Sequence, residues 1–316
     1  MAAERSSIAV VIVTYNRAEM LSQCLNSLRQ QQLPANMVYV VDNASTDHTL
    51  KVLEQQTNLP FQVIRMEENV GGAGGFSAGL ERAYYGGYEW LLLIDDDVLL
   101  DTDCLLQFMK YQQSVMIGVR EDQSGKLVER ALLKYELRNP FCFCPGRPSI
   151  KEKYSSRDQM PELLAVEGAT FEGFMVNRRI VDLVGFPNPD YFIFYDDLDY
   201  TLRIRDAGFK IQAIRDARII RQQSYDTGSA LSTWKGFYMY RNFFLIHYLF
   251  GSNILVKLKP VFLFSGAAAV KIMTFFLYPK YFGTISKAFF SSLGMFFKRR
   301  PKITAFRKNK VIIDHR

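Results

Sequence analysis

Carboxylates crowd together at two places in this 316-residue chain. "WLLLIDDDVLL" sets Asp95, Asp96 and Asp97 inside an apolar run, and "YDDLDY" places Asp196, Asp197 and Asp199 at the head of a helical pattern. Adjacent carboxylates repel one another and are costly to ionise in a crevice. A divalent cation removes that cost by taking carboxylate oxygens as ligands, and Mg²⁺ or Mn²⁺ suits such a donor set. Residues i and i+2 of a strand share a face, so Asp95 and Asp97 converge on one ion if the strand continues through them, and a turn relaxes that constraint. A polar strand end facing water is the plainer alternative. In the second group, acids in a first helical turn answer the helix dipole and its unpaired N–H groups. The alternative there is a general base that takes a hydroxyl proton without touching the ion.

"NVGGAGGFSAG", from Asn69 to Gly79, has five glycines. It lacks G-x-x-x-x-G-K-[ST] and does not follow a first strand as a dinucleotide fingerprint would, which argues against ATPase and dinucleotide chemistry. Its glycines let backbone approach closely, either to a ligand or as a helix start pressed onto a sheet.

These groups need a scaffold, and the hydrophobic pattern supplies one. "IAVVIV" (8–13), "MVYVVD", "FQVIRM" and "WLLLID" read as buried strands. Between the first two, Met20, Leu21, Leu25 and Leu28 recur at helical spacing. A second helix is expected over 46–56, with Leu50 and Leu53 as anchors and Asp47 in its first turn. Strand and helix alternate, the pattern of an α/β fold with a mainly parallel sheet. Ligands of such sheets gather beyond the C-terminal strand ends, so residues 14–17, 42–45 and 95–97 should meet at one crevice. A helix is expected over 101–118 around Leu105, Leu106, Phe108 and Met109. The stretch 120–160 reads as a variable excursion without chemistry, and a further helix as spanning 197–206.

Charge divides the chain. Residues 235–316 hold 15 Lys or Arg against the single acid Asp314, a balance of +14, so residues 1–234 carry 7 − 14 = −7. The same C-terminal part holds 14 of the 25 phenylalanines. A basic, Phe-rich tail on an acidic domain predicts attachment to an anionic membrane surface. Nucleic acid is not expected as a partner, because the bases are interleaved with aliphatic and Phe runs and form no polar face; a nucleic-acid-binding protein, the third function class, would need salt-sensitive binding to a generic duplex or single strand. The longest uncharged run of "ILVKLKPVFLFSGAAAVKIMTFFLYP", 260–270, has 11 residues. That is short of the roughly 18–20 needed for a span, so interfacial helices are expected. Packing of the tail on the domain, or on a second copy in a homo-oligomer, is the alternative. No basic stretch, apolar run and cleavage site open the chain, so no secretory leader is expected. Cys24, Cys104, Cys142 and Cys144 form no disulfide framework.

Taken in order, "VVIVTYNR", "VDNASTDHT", "NVGGAGGF", "LLLIDDDV" and "FIFYDDLDYTLRIRDAGF" resemble the inverting family 2 glycosyltransferases of GT-A fold over residues 7–245. "GGAGGF" followed by DDD and an aromatic-Asp-Asp motif is most similar to bacterial galactofuranosyltransferases, with rhamnosyltransferases as close relatives. The resemblance implies a catalytic domain over 1–234 and a membrane-associating helical region over 235–316. It implies transfer of galactofuranose from UDP-galactofuranose to a lipid-linked glycan acceptor at the cytoplasmic face of a bacterial membrane. A dTDP-rhamnose-dependent rhamnosyltransferase or another hexosyltransferase is the near alternative, and an inactive membrane-bound scaffold the distant one.

Residue by residue, the resemblance implies that Thr14 opens the nucleotide pocket and Asp42 meets the base edge, with Arg17 and Asn43 assisting. Asn69, Gly72, Gly74 and Gly75 would border ribose or donor sugar. Asp95 and Asp97 would hold Mn²⁺ or Mg²⁺ against the diphosphate, with Asp96 near the ribose or sugar. Asp197 would be the base, with Asp196 and Asp199 beside the acceptor or in support. Arg241, in "YMYRNFFL", would meet the diphosphate or anchor its helix. One departure stands out: the family commonly adds a His ligand in the segment matching "ARIIRQQSYD", and this chain has only His48, His247 and His315. Gln222 or Gln223, or water, would take that place.

Overall fold

The computed structural model describes residues 7–56, 59–142, 144–223, 233–273 and 279–298. Strand β1 (Ile8–Thr14) is buried along its whole length, and alternation sorts its side chains onto two faces. Ala9, Val11 and Val13 belong to one apolar core with Phe76, Leu80 and Ala83 of helix α3 (Gly71–Tyr85). Ile8, Val10 and Ile12 belong to a second core with Leu21, Cys24, Leu25 and Leu28 of helix α1 (Ala18–Arg29). Strands β2 (Met37–Asp42) and β4 (Trp90–Asp95) divide between the same two cores, and this double burial is why all three read as unbroken apolar runs.

Helix α2 (Thr49–Glu54) and strand β3 (Phe61–Arg65) follow β2. The order β3-β2-β1-β4 is parallel throughout. Register brings the strand ends together, since Thr14 pairs with Asp42 and Val13 with Asp95. The sheet then continues through strand β8 (Phe174–Asn177), antiparallel to β4, to strands β6 (Val115–Asp122) and β9 (Ile211–Arg221), which run parallel to each other. Strands β5 (Val98–Leu100) and β7 (Leu163–Val166) join antiparallel to β9.

Three expectations are corrected. The helix expected over 101–118 is only α4 (Cys104–Tyr111): Gln112 takes a left-handed conformation and the chain re-enters the sheet as β6. Residues 115–119 form an apolar run buried on both sides, which fits a sheet interior as readily as a helix face. The helix expected over 46–56 is trimmed to α2, with the Asp47 side chain accepting from the Thr49 amide at 3.0 Å just outside it. The stretch 120–160 starts inside β6, carries helix α5 (Ile150–Lys153), and is pinned by a buried ion pair between Arg120 and Glu129 at 2.8 Å.

Helix α6 (Arg178–Val184) leads through a short 3₁₀ turn (Pro189–Tyr191) to helix α7 (Asp196–Asp206). Helices α8 (Lys235–Phe250), α9 (Ile254–Met273) and α10 (Pro279–Lys298) form an aromatic-rich layer, in which Phe289 stacks on Phe264 at 4.4 Å and meets Phe244 edge-on.

Candidate active site

The C-terminal ends of β1, β2 and β4 open into a cavity of about 520 Å³. Thr14, Tyr15, Arg17, Asn43, Asn69 and the glycines at 71 and 72 line it. Asp95, Asp96 and Asp97 line it together with Asp196 and Asp197. Among the residues expected at the site, Asp42, Gly74, Gly75, Asp199 and Arg241 do not line it.

Each of these five has a partner that accounts for its position. Asp42 is wholly buried behind Asn43, and its Oδ1 accepts from the Ser45 amide at 2.9 Å. A Cβ on Gly74 would come within 2.6 Å of the Val70 side chain, and one on Gly75 within 2.6 Å of Val13. These two glycines therefore let α3 press against its own first turn and the sheet. Asp199 accepts from the Tyr191 hydroxyl at 3.1 Å and from Arg203 at 2.8 Å. Arg241 donates to the carbonyls of Asp190 and Tyr191, both at 2.8 Å, which ties α8 to the loop before α7.

The three aspartates separate by function of the turn they occupy. β4 ends at Asp95, and Asp96 and Asp97 form a turn, so strand alternation does not govern them. Asp96 turns back to accept from the Thr14 hydroxyl at 2.7 Å and from Arg17 at 3.0 Å. Asp95 and Asp97 instead join Glu172, with one carboxylate oxygen from each within 4.8 Å of the others. Burial raises Asp95 well above the usual carboxylate range, and Glu172 and Asp97 raise it further. Burial also raises Asp97 and Asp96, against the pull of Arg17. Glu172 is shifted up by burial but held below the ordinary range by Arg120 and Arg221.

A hard divalent cation fits this group. Its donors are all oxygens, and Asp97 Oδ1 is buried without a hydrogen-bond partner. Gln222, expected as a substitute ligand, does not line the cavity, and its side-chain amide donates to the Met20 and Asp96 carbonyls. Gln223 is exposed outside it.

In the same cavity, Asp197 is raised to about 6, chiefly by burial, and Glu172 adds to the rise. Asp196 beside it is raised well above its ordinary value by burial and by Asp197. Both sit at the start of α7, entered through Phe192, Phe194 and Tyr195, all with left-handed φ of 62–67°.

Several cavity residues had no signal in the sequence. Glu172 lies in "FEGF" between two short strands, Arg120 and Arg130 come from the supposed excursion, and Arg221 ends β9. Trp234, 58% exposed, rims the cavity edge-on to Phe192 and Tyr238.

Residues 9–181 match the family described as glycosyl transferase family 2. A galactofuranosyltransferase of Mycolicibacterium smegmatis is 26% identical over 202 residues, covering 64% of this chain and 66% of the relative, just under two thirds of its length. A poly(ribitol-phosphate) beta-N-acetylglucosaminyltransferase of Staphylococcus aureus is 35% identical over 134 residues, 40% of this chain and 23% of that protein. Among solved structures, S. aureus TarS 1-349 in complex with UDP-GlcNAc superposes with a TM-score of 0.55 at 18% identity, over 92% of this chain and 81% of that one. A mannosyltransferase from Pyrobaculum calidifontis, in complex with GDP-Man and Mn2+, gives 0.51 at 16% identity, over 93% and 88%. The mainly parallel sheet with its antiparallel switch at β8 is accordingly a GT-A fold, and with more than half its length matched the chain belongs to glycosyl transferase family 2.

Proposed function

We propose that the chain transfers galactofuranose from UDP-galactofuranose, with inversion, to a hydroxyl of a lipid-linked or polysaccharide acceptor in bacterial surface-glycan synthesis. One observation carries the catalytic part: Asp197, shifted to about 6, shares a cavity with the Asp95 and Asp97 carboxylates at the sheet's C-terminal edge. The galactofuranosyl assignment is supported by the mycolicibacterial relative and by the "GGAGGF" segment.

The chemistry is a single displacement. The acceptor oxygen forms a bond to the anomeric carbon as the bond from that carbon to the β-phosphate oxygen breaks, and the hydroxyl proton passes to an Asp197 carboxylate oxygen. Asp95 and Asp97 would hold Mn²⁺ or Mg²⁺, which when bound neutralises charge on the departing diphosphate. Arg17 keeps Asp96 and Asp97 in place, and Asn69 accepts from the Gly71 amide at 2.9 Å, shaping the entry to α3 on the donor side. The exposed Trp234 ring supplies a flat apolar surface for a sugar of the acceptor.

A donor screen with Mn²⁺ tests this reading. UDP-galactofuranose should turn over fastest among UDP-galactofuranose, UDP-galactopyranose, UDP-GlcNAc and dTDP-rhamnose. UDP-GlcNAc is included because of the 35% identity to the ribitol-phosphate enzyme. Fastest turnover of another donor, or turnover of none of the four, refutes the sugar assignment.

We also infer peripheral attachment to an anionic membrane surface at the cytoplasmic face, through α9 and α10. Leu255, Leu258 and Phe262 fall on one exposed stripe of α9, and Phe290 and Phe297 on the exposed side of α10 near Lys287 and Lys298. No helix among the described residues is long and apolar enough to cross a membrane. The chain should co-sediment with anionic but not neutral vesicles, and Phe290→Glu with Phe297→Glu should release it. Equal sedimentation of that variant, or a salt-insensitive dimer that buries these faces, overturns the assignment.

A further inference from the structure

The two aspartates supply only part of an ion's shell, which water, the diphosphate or a further side chain completes. Mg²⁺-like ions take about six oxygens, and Asp96, between the two in sequence, is committed to Thr14 and Arg17. The Gln222 side-chain nitrogen is turned to backbone carbonyls. Glu172 is placed differently. It follows Phe171, which is buried against Phe76 and Tyr200, so the core holds the backbone at this point. It precedes Gly173, whose φ of +111° and close approach to Ile219 admit no other residue without strain. Its Oε2 meets Arg120 in a close ion pair and lies 3.6 Å from Arg221 Nε. Arg120 is itself buried and doubly hydrogen-bonded to Glu129, at 2.8 Å for each bond.

We propose that Glu172 is a third protein ligand to the divalent cation, oriented by Arg120 and Arg221. Both guanidinium groups pair by charge with Oε2, which makes no hydrogen bond of its own, so the carboxylate is oriented yet keeps lone pairs for the ion, the arrangement in which outer partners fix a ligand's direction. Two independent features point to a ligand here. Oxygens of Asp95, Asp97 and Glu172 converge within 4.8 Å, and Asp97 Oδ1, in a side chain only 7% exposed, is buried with no hydrogen bond. Asp95, Asp96, Asp97, Glu129 and Glu172 outnumber their partners Arg17, Arg120 and Arg221 by two charges, which one divalent ion balances. Glu129 neutralises Arg120 on its far side, which leaves Glu172 enough net negative charge to bind a cation. The stretch 120–160 would thereby tune the metal site from behind.

The proposal rests on the metal-dependent reading above, and the experiment separates the two. Crystals of the full chain soaked with Mn²⁺ and UDP, with data collected at the manganese edge, should place the ion within about 2.5 Å of oxygens from Asp95 or Asp97 and from Glu172. In parallel, Mn²⁺ binding to the full chain is followed by the loss of the free-ion electron paramagnetic resonance signal. Glu172→Gln should weaken binding by at least about tenfold, and Arg221→Gln by about tenfold through loss of orientation. An ion held by Asp97 with Glu172 on the arginines alone, or unchanged affinity in Glu172→Gln, overturns the Glu172 assignment and leaves the metal reading standing. An ion absent from all three carboxylates, with no binding by the unaltered chain, overturns both. The crystal uses the unaltered chain, so a variant that fails to fold does not decide the matter.

Discussion

The Asn242 side-chain amide donates to the Phe194 carbonyl at 2.8 Å, joining α8 to the residue two places before Asp196. The same amide lies 2.9 Å from the Ile193 carbonyl and 3.1 Å from that of Tyr191. Phe192, Phe194 and Tyr195 all have positive φ, a conformation costing of order 1–3 kcal/mol per residue that persists only where surroundings enforce it. Asn242, wholly buried, is part of that enforcement. Asn242→Ala should lower kcat of transfer by about tenfold or more with donor affinity nearly unchanged, and lower stability by about 1–3 kcal/mol. Comparing nucleotide titrations with transfer rates checks this, and equal losses in both would show that Asn242 supports the donor side instead.

Asp197→Asn keeps the shape of the side chain and removes the proton acceptor. Transfer should fall by about 10²–10⁴-fold while UDP binding persists. The pH dependence follows from the raised value of about 6, due first to burial. The base form prevails above that pH, and kcat/KM should fall about tenfold per unit below it. A bound cation favours the carboxylate, so in the metal-loaded enzyme the limb lies at or below about 6. A flat profile between about pH 4 and 8 for transfer by the metal-loaded enzyme, or near-normal transfer by the Asn variant, removes Asp197 from the base role.

Two adjacent glycines separate strain from space. Gly71 has φ of +74°, and a Cβ there would stand 2.0 Å from the Phe192 carbonyl oxygen. Gly72 has nothing within 4 Å of such an atom. Gly71→Ala should therefore lower the melting temperature by several degrees, corresponding to more than about 1 kcal/mol, and impair transfer by displacing the loop before α7. Gly72→Ala should melt like the unaltered chain and, because it lines the cavity, change only donor KM. Calorimetry and initial rates on the pair test this, and equal melting of both variants would contradict the packing.

Sequence made the first half of the sheet readable because β1, β2 and β4 are covered on both faces, so burial writes itself as continuous apolar runs. Their polar ends located the crevice for the same reason. β6 was misread because a short apolar run serves a buried helix or a buried strand equally, and its neighbours β8 and β9 lie far along the chain. Glu172 was invisible for a related reason. Its significance comes from Arg120, Arg221 and Asp97 converging from separate strands, a proximity no local spacing encodes. The pairing of Asp95 with Asp97 was readable by residue type, while the turn that parts Asp96 from them was not.

His247 makes the C-terminal layer acid-sensitive. It is wholly buried in α8, its Nδ1 lies 2.8 Å from the Phe243 carbonyl, and its Nε2 has no partner. Burial lowers its pKa from 6.5 to about 4, and nearby Lys259 acts in the same direction. The folded protein therefore keeps the ring neutral while the unfolded chain binds a proton below about 6.5. Stability from this site is complete above 6.5, declines as pH falls, and is lost by about 4, a total of about 3 kcal/mol. His247→Phe stays neutral at every pH and fits the same aromatic layer. Between pH 7 and 5 its stability should fall by about 2 kcal/mol less than that of the unaltered chain, since all other titrating groups are shared. Denaturant titrations at the two pH values measure the difference, and parallel losses in both proteins would show that His247 is accessible to protons in the folded state.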